Sequence, residues 1–268
     1  MPPPPVSHAS SLPNTPLPGA GLPLPEPARA SSGAGVPATP DYLHDTYSWA
    51  YVTPEAVRRF ERQWLVNLIL WGNFPRLRDM ALEAFGQRLE GRSLQVACVY
   101  GDLTACFAAR HARASQLDVV DVLPVQIDNL RRKLGAGSGV NLRLADSAAL
   151  PQADGSYDRV LLYFLLHEQP LHVRVPTVSE ALRVLRPGGK LVLVDYHRPS
   201  AWHPLRLPMA GVLRTLEPFA LDLWRTEIAD WLPADVPLAE YRKRTCFGGL
   251  YQIIEITKAG ADTARQEA

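Results

Sequence analysis

Charge of one sign is what this 268-residue chain lacks: 28 Lys and Arg stand against 27 Asp and Glu, and the two signs are mixed along its length. That balance argues against a polyanion partner such as nucleic acid. Cysteine is scarce as well. Cys98, Cys106 and Cys246 are odd in number and form no Cys-x-x-Cys pair, so they read as buried inert thiols in a reducing, cytoplasmic compartment rather than as a disulfide framework. Long apolar runs are also absent. The longest, Val160-Leu-Leu-Tyr-Phe-Leu-Leu166, has the length of a core strand and falls far short of the ~20 residues that span a bilayer. The chain is expected to be soluble or peripheral.

Proline is plentiful but confined. Twelve of the 25 prolines lie in residues 1–40, a stretch with only Glu26 and Arg29 fully charged and no apolar periodicity. It reads as a disordered tail biased to polyproline II. It has neither the basic start and apolar core of a signal peptide nor the Arg-rich amphipathic pattern of a transit peptide. Residues 41–268 are long enough for one α/β domain with a sizeable core.

Residues 41–52 crowd four aromatics beside His44 and Asp45. Thr53-Pro54 then suits a helix start, and Val57, Phe60, Trp64, Leu68 and Trp71 follow at spacings of three and four, one apolar stripe ended by Gly72-Asn73. A second helix fits 76–89. Beyond it, strands fit at 93–98, 117–122, 140–145, 157–163 and 190–196, with helices at 102–111, 124–134 and 177–186. Near-continuous apolar strands alternating with amphipathic helices predict a parallel sheet covered on both faces. Residues 203–232 read as helical. The segments 238–246 and 250–257 read as two strands joined through Gly248-Gly249.

Glycine is missing where it would matter most. Ser93-Leu-Gln-Val-Ala-Cys-Val-Tyr-Gly-Asp-Leu-Thr104 has the frame of the strand, loop and helix start that binds S-adenosylmethionine (SAM) in methyltransferases. The usual acid is Gln95, two usual glycines are Ala97 and Val99, and only Gly101 remains. Glycine lets the backbone adopt positive φ and approach a ligand closely; β-branched Val99 is stiff and suits neither task. The element order nonetheless predicts an α/β fold of the class I SAM-dependent methyltransferase type, a Rossmann-like seven-stranded sheet with an antiparallel end and added N-terminal helices.

The candidate ligand contacts follow that frame. Tyr100 and Gly101 belong to the loop. Asp121 ends the second strand, twenty residues after Gly101, where an acid can accept from a ribose diol or cap the helix opening at Pro124. In Leu144-Ala-Asp-Ser-Ala-Ala-Leu-Pro151, Asp146 and Ser147 fall at the adenine-lining position, with Leu150 framing the ring. Asp146 read alone is equally a turn acid. His167 and Glu168 follow the fourth strand at the carboxyl edge of the sheet, where they could bind a metal or move a proton, or be ordinary loop residues. His44 is a third catalytic candidate, in a segment that could close over a ligand. Ser179-Glu-Ala-Leu-Arg-Val-Leu-Arg-Pro-Gly-Gly-Lys190 specifies fold rather than chemistry. The Trp202–Trp224 segment reads as a helix on the sheet edge or as a cap over an apolar substrate.

Taken together, Tyr42-Leu-His-Asp-Thr-Tyr-Ser-Trp-Ala-Tyr51, Ile69-Leu-Trp-Gly-Asn73, Ala97-Cys-Val-Tyr-Gly-Asp102, Val119-Val-Asp-Val-Leu-Pro-Val-Gln126 and Phe247-Gly-Gly-Leu-Tyr251 resemble the RquA family over residues 41–257. The resemblance implies conversion of ubiquinone to rhodoquinone, with a ring methoxy exchanged for an amino group. It implies SAM as amine donor and manganese as an aid, with His167, Glu168, His44 and Asp45 as possible ligands, and His167 as a base near neutral pH. The polyprenyl tail of the substrate implies peripheral contact with the cytoplasmic membrane face. Two other readings stay open: a SAM-dependent quinone C-methyltransferase, and a catalytically silent SAM-fold subunit of a quinone-biosynthesis complex.

Overall fold

The computed structural model describes residues 38–47 and 54–260; the proline-rich stretch up to residue 37, together with Trp49, Tyr51 and Thr53, lies outside them. Seven strands form a single sheet of order β3-β2-β1-β4-β5-β7-β6. They are β1 Ser93–Val96, β2 Leu117–Asp121, β3 Asn141–Leu144, β4 Tyr157–Tyr163, β5 Leu185–Tyr196, β6 Leu238–Cys246 and β7 Tyr251–Lys258. The first five pair in parallel. β7 runs antiparallel to β5, and β6 antiparallel to β7, as the sequence predicts.

Position in the sheet explains strand composition. β1 and β2 are buried at every residue, because helices cover both faces of a parallel sheet. β6 is the free edge, exposed along most of its length and rich in charge (Glu240, Arg242, Lys243, Arg244), which keeps an open edge from pairing with other chains.

The helices are α1 Asp41–Tyr47, α2 Pro54–Phe60, α3 Gln63–Ile69, α4 Phe74–Glu83, α5 Leu103–Ala108, α6 Pro124–Leu134, α7 Leu171–Val184 and α8 Arg206–Leu216. Two expectations are corrected here. The single helix read over 54–71 is two short ones broken at Glu61-Arg62, because Glu61 turns aside to bind Lys133. Along its apolar stripe Val57 is buried, whereas Trp64, Leu68 and Trp71 stand exposed. α7 starts six residues before the predicted 177 and accommodates Pro176 internally. The segment 203–232 is α8 followed by two short 3₁₀ turns.

Candidate active site

A cleft of about 650 Å³, counted to its open mouth, lies where the chain order reverses between β1 and β4. The carboxyl ends of parallel strands diverge at such a point and leave room for a ligand. Ala97 and Cys98 reach it from β1, Asp121 from β2, and Asp146 and Ser147 from β3. Glu168 reaches it from the segment after β4, and Tyr42 from α1.

The loop after β1 explains how so few glycines suffice. Ala97 sits at φ +73°, a left-handed conformation that costs an L-residue roughly 1–2 kcal/mol. The backbone has kept the shape of the missing glycine and carries a methyl group in it. Gln95, fully buried, donates Nε2 to the Ala97 carbonyl at 2.9 Å and so fastens the turn. Val99 takes no positive φ. Instead, Lys133 of α6 donates Nζ to the carbonyls of Val99 (3.0 Å) and Gly101 (2.7 Å) and to Glu61 Oε1 at 2.8 Å. Glu61 in turn accepts from Asn129 Nδ2 at 2.6 Å and from the Gly101 N–H at 3.2 Å. The second half of the loop is therefore clamped away from the cleft. Tyr100, whose hydroxyl accepts from Gln126 at 3.0 Å, and Gly101 do not line the cleft, contrary to their expected role. A Cβ on Gly101 would come within 2.8 Å of both Gln63 Oε1 and Phe74 Cζ, so this glycine serves packing against α3 and α4.

Asp121 stands on the cleft wall and is not the N-cap of α6, which is Leu123 and makes no side-chain cap bond. Its Oδ1 accepts from the N–H of Leu123 at 2.8 Å, just before α6, and its Oδ2 from the N–H of Cys98 at 2.7 Å. Burial pushes its carboxyl up to about 6, only partly opposed by these N–H donors. Asp146 uses Oδ1 to accept from the Ala148 N–H at 2.8 Å, an Asx turn on the cleft wall. Ser147 Oγ contacts Thr177 Oγ1 and accepts from Gln169 Nε2, each at 2.9 Å. Leu150 is buried in the core and does not frame the cleft.

His167 and Glu168, adjacent in sequence, take different places. Glu168 lines the cleft, whereas His167 is buried behind it. Asp195, at the end of β5, holds His167 with Oδ1 2.9 Å from Nδ1, and its Oδ2 accepts from the N–H of Leu166 and of His167. Burial works against charge on the ring. The nearby carboxylates of Asp195, Glu217 and Glu168 outweigh it and raise the imidazole to about 9. A protonated imidazole has no lone pair for a metal or a substrate proton, so the base and metal-ligand roles expected of His167 do not match its surroundings. His44 lies on α1 with its side chain outside the described residues, and Asp45 is exposed on the same helix. Among the described residues no three His, Cys, Asp or Glu side chains gather into a metal site, and His167, charged and held by Asp195, does not fit a metal ligand.

Several residues that shape the site escaped the sequence reading. Lys133 is one of three basic residues in the last turn of α6, and only the fold tells it from Arg131 and Arg132. Arg174 is fully buried, donating to the carbonyls of Leu166, Gln169 and Phe219. It thereby fixes the segment that carries His167 and Glu168. Glu217 belongs to the same buried group, its carboxyl raised by burial.

Comparison with known proteins bears on this arrangement. Residues 94–189 match the family described as a methyltransferase domain. The matched stretch holds β1 to the start of β5, and so every strand that opens on the cleft. Over 141 residues the chain is 32% identical to the ubiquinone/menaquinone biosynthesis C-methyltransferase UbiE of Pseudomonas savastanoi pv. phaseolicola, covering 51% of this chain and 54% of that one. It is 29% identical over 198 residues to the demethylmenaquinone methyltransferase of Beutenbergia cavernae, covering 70% of this chain and 78% of that one. The chain thus spans about half the length of the UbiE relative. Among solved structures, an O-methyltransferase family protein from Burkholderia thailandensis superposes with a TM-score of 0.55 at 15% identity, covering 80% of this chain and 64% of that one. The sheet has the class I SAM-dependent methyltransferase fold expected from the element order, and the chain is similar in sequence to quinone-biosynthesis methyltransferases.

Proposed function

We propose that this protein binds SAM in the cleft and modifies the ring of a ubiquinone- or menaquinone-type substrate. The observation that carries the reading is the convergence of Asp121 and Asp146, from the ends of β2 and β3, on one cleft beside the positive-φ turn at Ala97. Asp121 would accept from the ribose hydroxyls and Asp146 from the adenine amino group, while Cys98 and Ala97 form the floor. Bound SAM supplies an electrophilic carbon. Glu168 faces the cleft with its carboxylate and is placed to receive a proton from the ring. Tyr42 and Leu43 of α1 cover the cleft mouth and exclude water.

Methyl transfer to a ring carbon is the reading favoured by the quinone C-methyltransferase relatives. A second reading, exchange of a ring methoxy for an amino group as the RquA resemblance implies, is favoured by the loop itself. Ala97 and Val99 stand where glycines would let the methionine end of SAM lie close, and Lys133 holds the loop carbonyls in place, so SAM would be presented differently.

Mass spectrometry of the quinone product separates the readings. Purified protein is incubated with SAM labelled in its methyl carbon and amino nitrogen, with and without manganese. The substrate is either ubiquinone or an analogue with an open ring position. Labelled carbon on the ring establishes methylation. Labelled nitrogen in place of methoxy establishes amination. An unaltered quinone with SAM demonstrably bound supports the silent subunit and overturns both.

A further inference from the structure

Two surface elements carry large apolar side chains that stand exposed among the described residues. On α3, Trp64 is 61% exposed and Leu68 63%, and Trp71 follows them at the helix end. On the segment leading into and along α8, Trp202 is 95% exposed and Leu207 83%. Met209 and Leu213 of the same helix are buried, so α8 packs with one side and presents the other. The two elements meet where Trp71 donates Nε1 to Met209 Sδ at 3.2 Å. They form one platform.

Its charge is of one sign. Residues 62–78 and 198–216 contain no Asp or Glu. Arg62, Arg76, Arg198, Arg206 and Arg214 all belong to these stretches, and none has an ion-pair partner among the described residues. The acids at the flanks are engaged elsewhere: Glu61 with Lys133, and Glu217 beside His167. Phe219, just beyond α8, packs edge-on against Tyr42 of the cleft at 6.4 Å between ring centroids. The platform therefore adjoins the cleft mouth.

We propose that the α3–α8 platform docks on an anionic phospholipid surface. Exposed Trp and Leu interleaved with unpaired Arg is the chemistry of an interfacial segment. The apolar side chains enter the acyl boundary, indole rings sit at the headgroup level, and guanidinium groups meet lipid phosphates. A second copy of the chain would bring a basic face against a basic face, which charge repulsion disfavours. The proposal holds whichever ring reaction the cleft performs, and its test needs no turnover.

The full chain is sedimented with phosphatidylcholine vesicles, with and without phosphatidylglycerol. Wild type is expected to partition onto the anionic vesicles and to be released by raised salt. Trp202→Ser with Leu207→Ser should lower partitioning roughly tenfold or more, by removing two groups that bury in the acyl region. Arg206→Gln with Arg214→Gln should erase the preference for anionic lipid, and Leu171→Ser, an exposed apolar residue on α7, should change nothing. Trp202, Leu207, Arg214 and Leu171 are exposed and Arg206 is half-buried, and circular dichroism checks the fold of each variant. The proposal is overturned if wild type stays in the supernatant, or if the platform variants sediment like wild type. Light scattering that shows a wild-type dimer dissociated by the Trp202 and Leu207 changes also overturns it, because a second copy then covers the face.

Discussion

Replacing Asp121 by Asn separates a ligand-binding carboxylate from a structural one. In the folded protein the group is buried, and its carboxyl rises from an ordinary 3.8 to about 6. At 1.36 kcal/mol per tenfold change in acidity, ionised Asp121 at pH 8 opposes folding by about 3 kcal/mol relative to its protonated form. The folded state binds the extra proton between pH 6 and 4, so wild-type stability should climb as pH falls through that window. Asn carries no charge to desolvate but has one acceptor oxygen for two N–H groups, those of Cys98 and Leu123. Losing a bond of that kind costs about 1.5–3 kcal/mol. The two effects nearly cancel, and Asp121→Asn should unfold within about 1–2 kcal/mol of wild type at pH 8 while lacking the gain on acidification. SAM affinity should fall roughly tenfold or more, because a diol donates better to a carboxylate than to an amide. Urea titrations at pH 8 and 5 with calorimetric SAM binding read both quantities. A variant that is strongly destabilised at pH 8 yet binds SAM like wild type would refute the assignment and leave Asp121 as a structural acceptor for the Cys98 and Leu123 N–H groups.

Ala97→Gly should relieve left-handed strain of roughly 1–2 kcal/mol against ~0.4–1 kcal/mol of added unfolded-chain entropy. A small net gain in denaturant midpoint is expected, and a clear loss would show that the Ala97 methyl matters more than its backbone. Lys133→Met removes three hydrogen bonds, two of them to the loop. Hydrogen exchange at residues 97–101 should quicken, with roughly 1.5–3 kcal/mol lost; unchanged exchange would mean the clamp is dispensable. His167 is raised from 6.5 to about 9, so its contribution is complete below pH 6.5 and fades as pH climbs through 9, by about 3 kcal/mol. Asp195→Asn should abolish most of that slope, and NMR titration of the imidazole should place its midpoint well below 9.

The element order, the near-continuous apolar strands and the Pro-Gly-Gly turn at 187–189 were readable in the sequence because each is set by local chemistry: backbone preference, periodicity and turn geometry. Asp121 and Asp146 were readable for the same reason, since strand ends in this topology fall in fixed places. The division of labour between His167 and Glu168 was not. Their neighbours in space are Asp195 and Glu217, 28 and 50 residues away, and only packing of β5 and α8 brings those carboxylates to the imidazole and charges it. The direction in which Trp64, Leu68 and Trp71 face was not readable for a related reason. Periodicity reports that a helix has an apolar face, but whether that face meets the core or the surface depends on how α3 is seated. The missing glycines are the clearest case. Sequence shows that the loop differs from its usual form; that Ala97 still takes the glycine's φ, and that Lys133 and Glu61 hold the rest away from the cleft, is decided by groups converging from α6 and the α2–α3 junction, which no local pattern encodes.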